Sequence, residues 1–419
     1  MTYPINVQCW IDFSTGAVFG YPFTLDSTKQ GILGTNVLAD AQSVIVDVSN
    51  QVGSIKLRGG YNLLQDQFEA GTATIVIYDQ NGDYNPQNVN SPYYGLLSPL
   101  RKIRVAATPN STSVTHYVFS GYVLSWDYTY PKNQDIGYVT ITASDAFRLF
   151  NLANINAITG GANGQDTGAR VNTILDNISW PNSLRAIDTG NSLCQADPGT
   201  NRTALQALKN VEFSEQGAFY INGSGQAVFR SRHWIMQKNG ANPTTFANDG
   251  SGIPYFSVAF AFDDKLIINQ ANIQPVGLTM QTASNAQSIA KYFPHSMTQQ
   301  NLVVQTEAEA LNIAREYVTT RAETTIRIDS MVLDLTTPDY TAGITAALSL
   351  DYFDTVKIVN VNQQGTGSTI TKTLQLMGIA MDITPQKFTV TFTTSEPIND
   401  AFILNSSLYG ILGTSTLGY

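Results

Sequence analysis

The chain has 419 residues, 43% of them apolar and only 13% charged, with a formal net charge of −9. That length allows roughly two to four domains with cores of their own, and the acidic balance excludes a typical nucleic-acid-binding surface, because it repels phosphate. The charged share is well below the ~25% of ordinary soluble domains; Asn, Gln, Ser and Thr cover the surface instead, and such side chains are cheaper to bury against a neighbour than unpaired charge.

The opening residues, Met1 to Asn6, lack the basic and apolar regions of a secretory signal. No apolar run approaches the length of a membrane span, so a soluble protein made in a cytoplasm is expected. Cys9 and Cys194 lie far apart with no partner cluster and read as free buried thiols. Phe23 to Leu38 returns near the other end as Phe402 to Leu417, with nine of sixteen positions identical. The unbroken core of the repeat is Gly31, Ile32, Leu33, Gly34 and Thr35 against Gly410, Ile411, Leu412, Gly413 and Thr414. Segments this small cannot bury a core alone, and glycine allows close backbone approach. They read as two docking segments for similar surfaces; the alternative is a pair of ordinary glycine-punctuated turns.

Between them, Ser43–Val48, Thr72–Tyr78, Lys102–Ala106, Tyr117–Val123 and Tyr138–Thr142 are short runs rich in β-branched and aromatic residues. Asp79, Asn81 and Asp83 alternate like a calcium loop but lack its glycine position and closing Glu. Asn81-Gly82 therefore reads as a type I′ hairpin turn. Ser144 to Phe150 reads as a helix capped by Ser144. The Gly-rich stretch Thr159–Gly168 lacks the Gly-Lys-Ser/Thr ending of a phosphate loop and reads as a connector. Val171, Ile174, Leu175 and Ile178 recur at helical spacing until Trp180-Pro181 stops them. Another helix follows Thr203, and Asn222 to Gly225 turns a hairpin between two apolar runs. Thr306 and Glu309 form a capping box for a helix whose buried stripe is Leu311, Ala314 and Val318. Strands follow at Thr325–Ile328, Met331–Leu335, Thr355–Val361, Thr373–Met377 and Phe388–Phe392.

The chain thus reads as mainly β with an α+β insert. A docking segment (1–42) precedes a first β domain (43–150), a mixed α/β middle domain (151–260), a second β domain with one helix (261–399), and a second docking segment (400–419). No catalytic constellation is present. His116, His233 and His295 are too scattered for a metal site, and Asp263-Asp264 reads as a solvated turn. The tyrosines of Ser91–Gly95 and Trp126–Tyr130 have the chemistry to stack on sugars, but packing in a core or interface is their ordinary use.

A string of phrases resembles bacteriophage tail hub proteins, also labelled baseplate hub or minor tail proteins. They are Asp66 to Ile75, Asn81 to Pro86, Ser91 to Pro99, Phe119 to Val123, Thr140 to Leu149, Gly168 to Leu175, Gly217 to Gly225, Glu309 to Arg315 and Asp354 to Ile358. The resemblance covers most of the chain. It implies two tube-like β-barrel domains per chain and a homotrimer whose six barrels continue a sixfold tail tube. It also implies a non-enzymatic virion protein at the tail tip, without cofactor or bound metal. Its partners would be a distal tail protein, a tape measure protein, and tail fibre or central tip proteins, around a channel that passes DNA without binding it. The alternatives are a hexameric distal tail protein, a carbohydrate-binding module reading a host surface, and a cell-wall hydrolase.

Overall fold

The computed structural model describes residues 4–14, 17–18, 45–63, 65–132, 136–238, 242–324, 326–337, 339–361 and 369–397. The first part is all β: β1 Ile5–Asp12, β2 Ile45–Asp47, β3 Val52–Asn62, β4 Gln67–Asp79, β5 Lys102–Pro109, β6 His116–Thr129 and β7 Gly137–Ser144. Alternation decides which way each strand faces. In β4, Ala73, Ile75 and Ile77 are buried while Thr72, Thr74 and Tyr78 are exposed; in β7, Val139, Ile141 and Ala143 point inward. Each buried aliphatic side chain contributes about 1.5–3 kcal/mol, so a one-residue slip in register would turn this row to water.

The middle alternates helices with short strands: α1 Phe147–Leu152, α2 Thr167–Asn177, β8 Arg185–Ile187, α3 Ala204–Glu215, β9 Ala218–Ile221, β10 Ala227–Arg230 and α4 Arg232–Lys238. Strands β8, β10 and β9 form a small sheet. Phe147, Phe150, Val171, Leu175, Trp180, Leu208 and Phe219 share one core there, in which Phe147 and Phe219 stack at 5.6 Å. Local signals are followed closely: Asp166 and Thr203 cap α2 and α3 by accepting N–H bonds from Ala169 and Gln206.

The remainder contains β11 Thr244–Ala247, β12 Ser257–Ala261, β13 Gln270–Pro275, β14 Gln281–Ser284, α5 Ala286–Tyr292, β15 Ser296–Leu302, α6 Glu307–Arg321, β16 Arg327–Asp334, α7 Thr341–Ser349, β17 Thr355–Asn360, β18 Ile370–Thr384 and β19 Lys387–Ser395. Strands β14, β13 and β15 make a second small sheet. Helix α6 packs on it through Ile313, Ala314 and Tyr317, and its predicted capping box is in place.

One large sheet runs through both β parts, in the order β12-β16-β19-β18-β3-β4-β7-β6-β5-β1-β2, with β17 beside β18 and β11 beside β17. The chain is therefore mainly β, with the mixed α/β layer packed against both β halves through Phe68, Tyr122, Phe353 and Met377. A single core extends under the sheet, from Ile11, Ile75 and Val105 in the first half to Met331, Phe388 and Phe392 in the second. Strand β1 lies in the 1–42 range, β11 in the 151–260 range and β12 across its end at 257–261, yet all three belong to this sheet.

Several local readings are corrected. Asn81-Gly82 makes no hairpin: β4 pairs with β3 and β7, and β5 pairs with β1 and β6. The turn instead opens a long connection, with Asp79 accepting N–H bonds from Asp83 and Tyr84 at 2.9 and 2.8 Å. Ser144 ends β7 and does not cap α1, which starts at Phe147 after Ala146; the Asp145 carboxylate accepts from Phe147 N–H at 2.9 Å. The two strands expected around Ile328 and Met331 are one, β16. The buried stripe of α6 runs through Ala310, Ile313, Ala314, Tyr317 and Val318, leaving Leu311 half-buried.

Candidate assembly interface

The two β halves meet at a seam. Strand β18 lies antiparallel to β3, with Gly378 opposite Gly60, Met381 opposite Leu57 and Ile383 opposite Ile55. Gly60 has φ +150°, and a Cβ there would lie 2.5 Å from the Gly378 Cα. Backbone-to-backbone contact this close admits only glycine. Bulges fall next to both glycines, and such bulges bend strands and raise their twist.

Away from this seam, polar side chains tie the first β half to the helices. Asp66, in the β3–β4 connection with φ +55°, pairs with Arg321 Nη2 at 2.6 Å and accepts from the Tyr317 hydroxyl. This fastens the first β half to α6. Asp145 at the end of β7 accepts from Gly71 N–H at 2.5 Å and from Phe147 N–H. Burial pushes its carboxyl up to about 7, partly opposed by these N–H bonds and by Lys209. Lys209 donates to Glu212 at 2.7 Å, and Glu212 accepts from Phe219 N–H at 2.8 Å. Burial lowers the Lys209 pKa and raises that of Glu212, and their mutual attraction opposes both shifts.

The residues singled out from sequence separate into groups. Gly31, Ile32, Leu33, Gly34 and Thr35, like Gly410, Ile411, Leu412, Gly413 and Thr414, lie outside the described residues. The described chain resumes after the first copy at β2 and leaves β19 before the second. Cys9 and Cys194 are free and buried, and burial pushes the Cys194 thiol up to about 12. Among the described residues no three His, Cys, Asp or Glu side chains gather as a metal-ion site. Asp263 is no bare surface carboxylate: Arg327 pairs with it at 2.9 Å, and its hydrogen bonds lower the Asp263 pKa to about 2. The tyrosine stretches divide. Tyr93 stacks between Phe13 and Tyr84 at 5.1 and 5.4 Å, and Trp126 lies over Phe13. Tyr94 and Tyr130 are exposed. No helix of the described residues is long and apolar enough to cross a membrane.

No protein-family model matches the chain, and no curated protein matches it. Solved structures do. A tail protein from Neisseria meningitidis MC58 superposes with TM-score 0.55 at 10% identity, covering 94% of this chain and 97% of that one. The 43 kDa tail protein of prophage MuSo2 from Shewanella oneidensis gives TM-score 0.53 at 12% identity, covering 83% and 95%. This chain has the tail-protein fold. The likeness spans nearly the full length of both neighbours, so it takes in the β halves and the mixed layer together.

A run of exposed phenylalanines is a surface feature that the sequence reading missed. The Tyr255–Phe262 run escaped because its alternation is broken by alanines and serine, and because its partner β16 lies about seventy residues further along the chain. It leaves Phe256 73% and Phe262 69% exposed. A second feature is a cleft of about 390 Å³ between the first β half, the β9–β10 turn and the end of α7, with Arg58, His116, Asp145 and Asp351 among its walls. These groups do not form a nucleophile–base pair.

Proposed function

We propose that this chain is a non-enzymatic structural subunit of a bacteriophage tail, and that three copies form a hub joining the tail tube and distal ring to the tip. The observation that carries this reading is the continuous sheet: each chain places two β halves edge to edge in a fold shared with tail proteins. Three such chains present six β halves, the number a sixfold tube requires of a threefold adapter. Low charge suits surfaces that are buried on assembly, and the net charge of −9 per copy suits a channel wall to which DNA does not adhere.

In this role the protein acts passively. It templates tail assembly, contributes to the channel, and transmits the adsorption signal between its neighbours: a distal tail protein, a tape measure protein, and fibres or a central tip protein. The Gly31–Thr35 and Gly410–Thr414 segments are proposed as docking elements for two similar surfaces. The test is a cryo-EM map of intact particles from the source. Three copies around the tail axis are expected. Six copies would assign the chain to the distal ring, and its absence from the particle would overturn the virion reading in favour of a glycan-binding module.

A further inference from the structure

A cavity of about 250 Å³ lies between α2, α3, the 198–202 loop and the ends of β13 and β15. Arg170 and Arg202 are among its walls, and no Asp or Glu is. Ile158, Ile174 and Val211 give it an apolar side, and the side-chain amides of Asn201, Gln206, Asn210 and Asn301 give it a polar one.

Arg170 is the unusual member. It is only 1% exposed, and a buried charge is costly unless an opposite charge meets it. Its Nε donates to Gln165 Oε1 at 2.7 Å, and its Nη2 donates to the carbonyls of Ala162 and Gln195, both at 2.8 Å. All three acceptors are neutral. Among the described residues no carboxylate pairs with Arg170, and its Nη1 has no acceptor. The residue also stands in the first turn of α2, at the positive end of that helix. Acids on the surrounding elements are engaged elsewhere. Asp166 caps α2 through Ala169 N–H, and Glu215 accepts from the Thr167 hydroxyl and from Asn191 and Ser192 N–H. Asp197 pairs with Arg202. One positive charge is left over at the cavity.

We propose that this cavity binds a carboxylate that also carries hydroxyl groups, the chemistry of a single acidic sugar, with its carboxylate on Arg170 Nη1. A single unmatched charge suits a singly charged carboxylate better than a doubly charged phosphate. The bond so formed is charge-assisted on both sides, and therefore stronger than those Arg170 makes to neutral oxygens. Side-chain amides both donate and accept, which suits the hydroxyls, and the apolar side suits the carbon face of the ring. The site does not depend on how many copies of the chain a particle holds.

The test is isothermal titration calorimetry on the full chain with sodium glucuronate, with glucose as the neutral probe and inorganic phosphate as the more highly charged one. One glucuronate per chain is expected, with glucose weaker by at least about tenfold. Gln206 is exposed and lies three residues after the Thr203 cap of α3, where Glu completes a capping box. Gln206→Glu should therefore keep the circular dichroism spectrum while weakening glucuronate by at least about tenfold. Arg170→Gln should abolish binding; if that variant does not fold, Gln206→Glu and the probe comparison decide. A glucuronate-ended oligosaccharide tells the sources apart: tighter binding than the free acid assigns a glycan, equal binding a free sugar acid, and either upholds the site. No glucuronate binding, glucose binding as tightly, or full affinity in Gln206→Glu would overturn it. Phosphate binding at least as tightly as glucuronate would overturn the carboxylate assignment.

Discussion

Asp145 is almost fully buried, at the wall of the cleft, and holds two backbone N–H groups. Its folded-state pKa of about 7 lies above the ~3.9 of an unfolded chain. Between those values the folded protein keeps the proton that the unfolded chain releases, so stability from this group falls as pH rises from about 4 to about 7. Asp145→Asn should flatten that part of a melting-temperature profile, which paired thermal scans at pH 4 and pH 7 would read. Asp66 is tied to Arg321 and Tyr317. Removing one partner of a buried ion pair costs about 3–5 kcal/mol, so Asp66→Ala should lower the urea midpoint strongly by leaving Arg321 and Tyr317 unsatisfied. Denaturant titration checks this, and an unchanged midpoint would mean the loop carries no load. None of these pairings could be read from sequence: Asp66 and Arg321 stand 255 residues apart.

At the scale of elements, local chemistry was legible wherever the determining residues are neighbours. The capping box of α6, the start of α3 at Thr203 and the Asn222–Gly225 hairpin depend on side chains within a few positions of the backbone groups they satisfy; the Asp166 cap of α2 is equally local but was not read. Thr306→Ala should therefore cost about 1 kcal/mol, seen as a small shift in thermal unfolding without loss of assembly. The Asn81-Gly82 turn failed as a hairpin because a turn motif cannot say which strands will pair after it. Asp79 captures the Asp83 and Tyr84 amides, and the chain leaves β4 for a different part of the sheet. At the seam, Gly60→Ala would drive a Cβ into the Gly378 backbone. It should lower stability more than Gly95→Ala, whose site is sterically open with φ +79°. Parallel melts of the two variants would check this, and equal losses would mean the seam contact adds nothing.

For the molecule as a whole, two β halves form one sheet and one core. If the repeated segments dock in the assembly, Gly34→Val and Gly413→Val should block particle incorporation while leaving the monomer folded. Sedimentation and circular dichroism of the variants, with a count of the chain in purified particles, decide this. Unfolded variants would assign the glycines to the fold instead.

The mainly β character, the mixed layer and the repeated segments are carried by composition, periodicity and short-range motifs, because each depends on residues close in sequence or on their totals; the hub resemblance rests separately on phrases that match that family in order. The place of β1 in the core, the β3–β18 seam, the buried Asp66–Arg321 pair and the exposed phenylalanines around β12 are of another kind. They exist because distant segments compete to bury the same apolar faces, and that competition is settled only when the whole chain has packed.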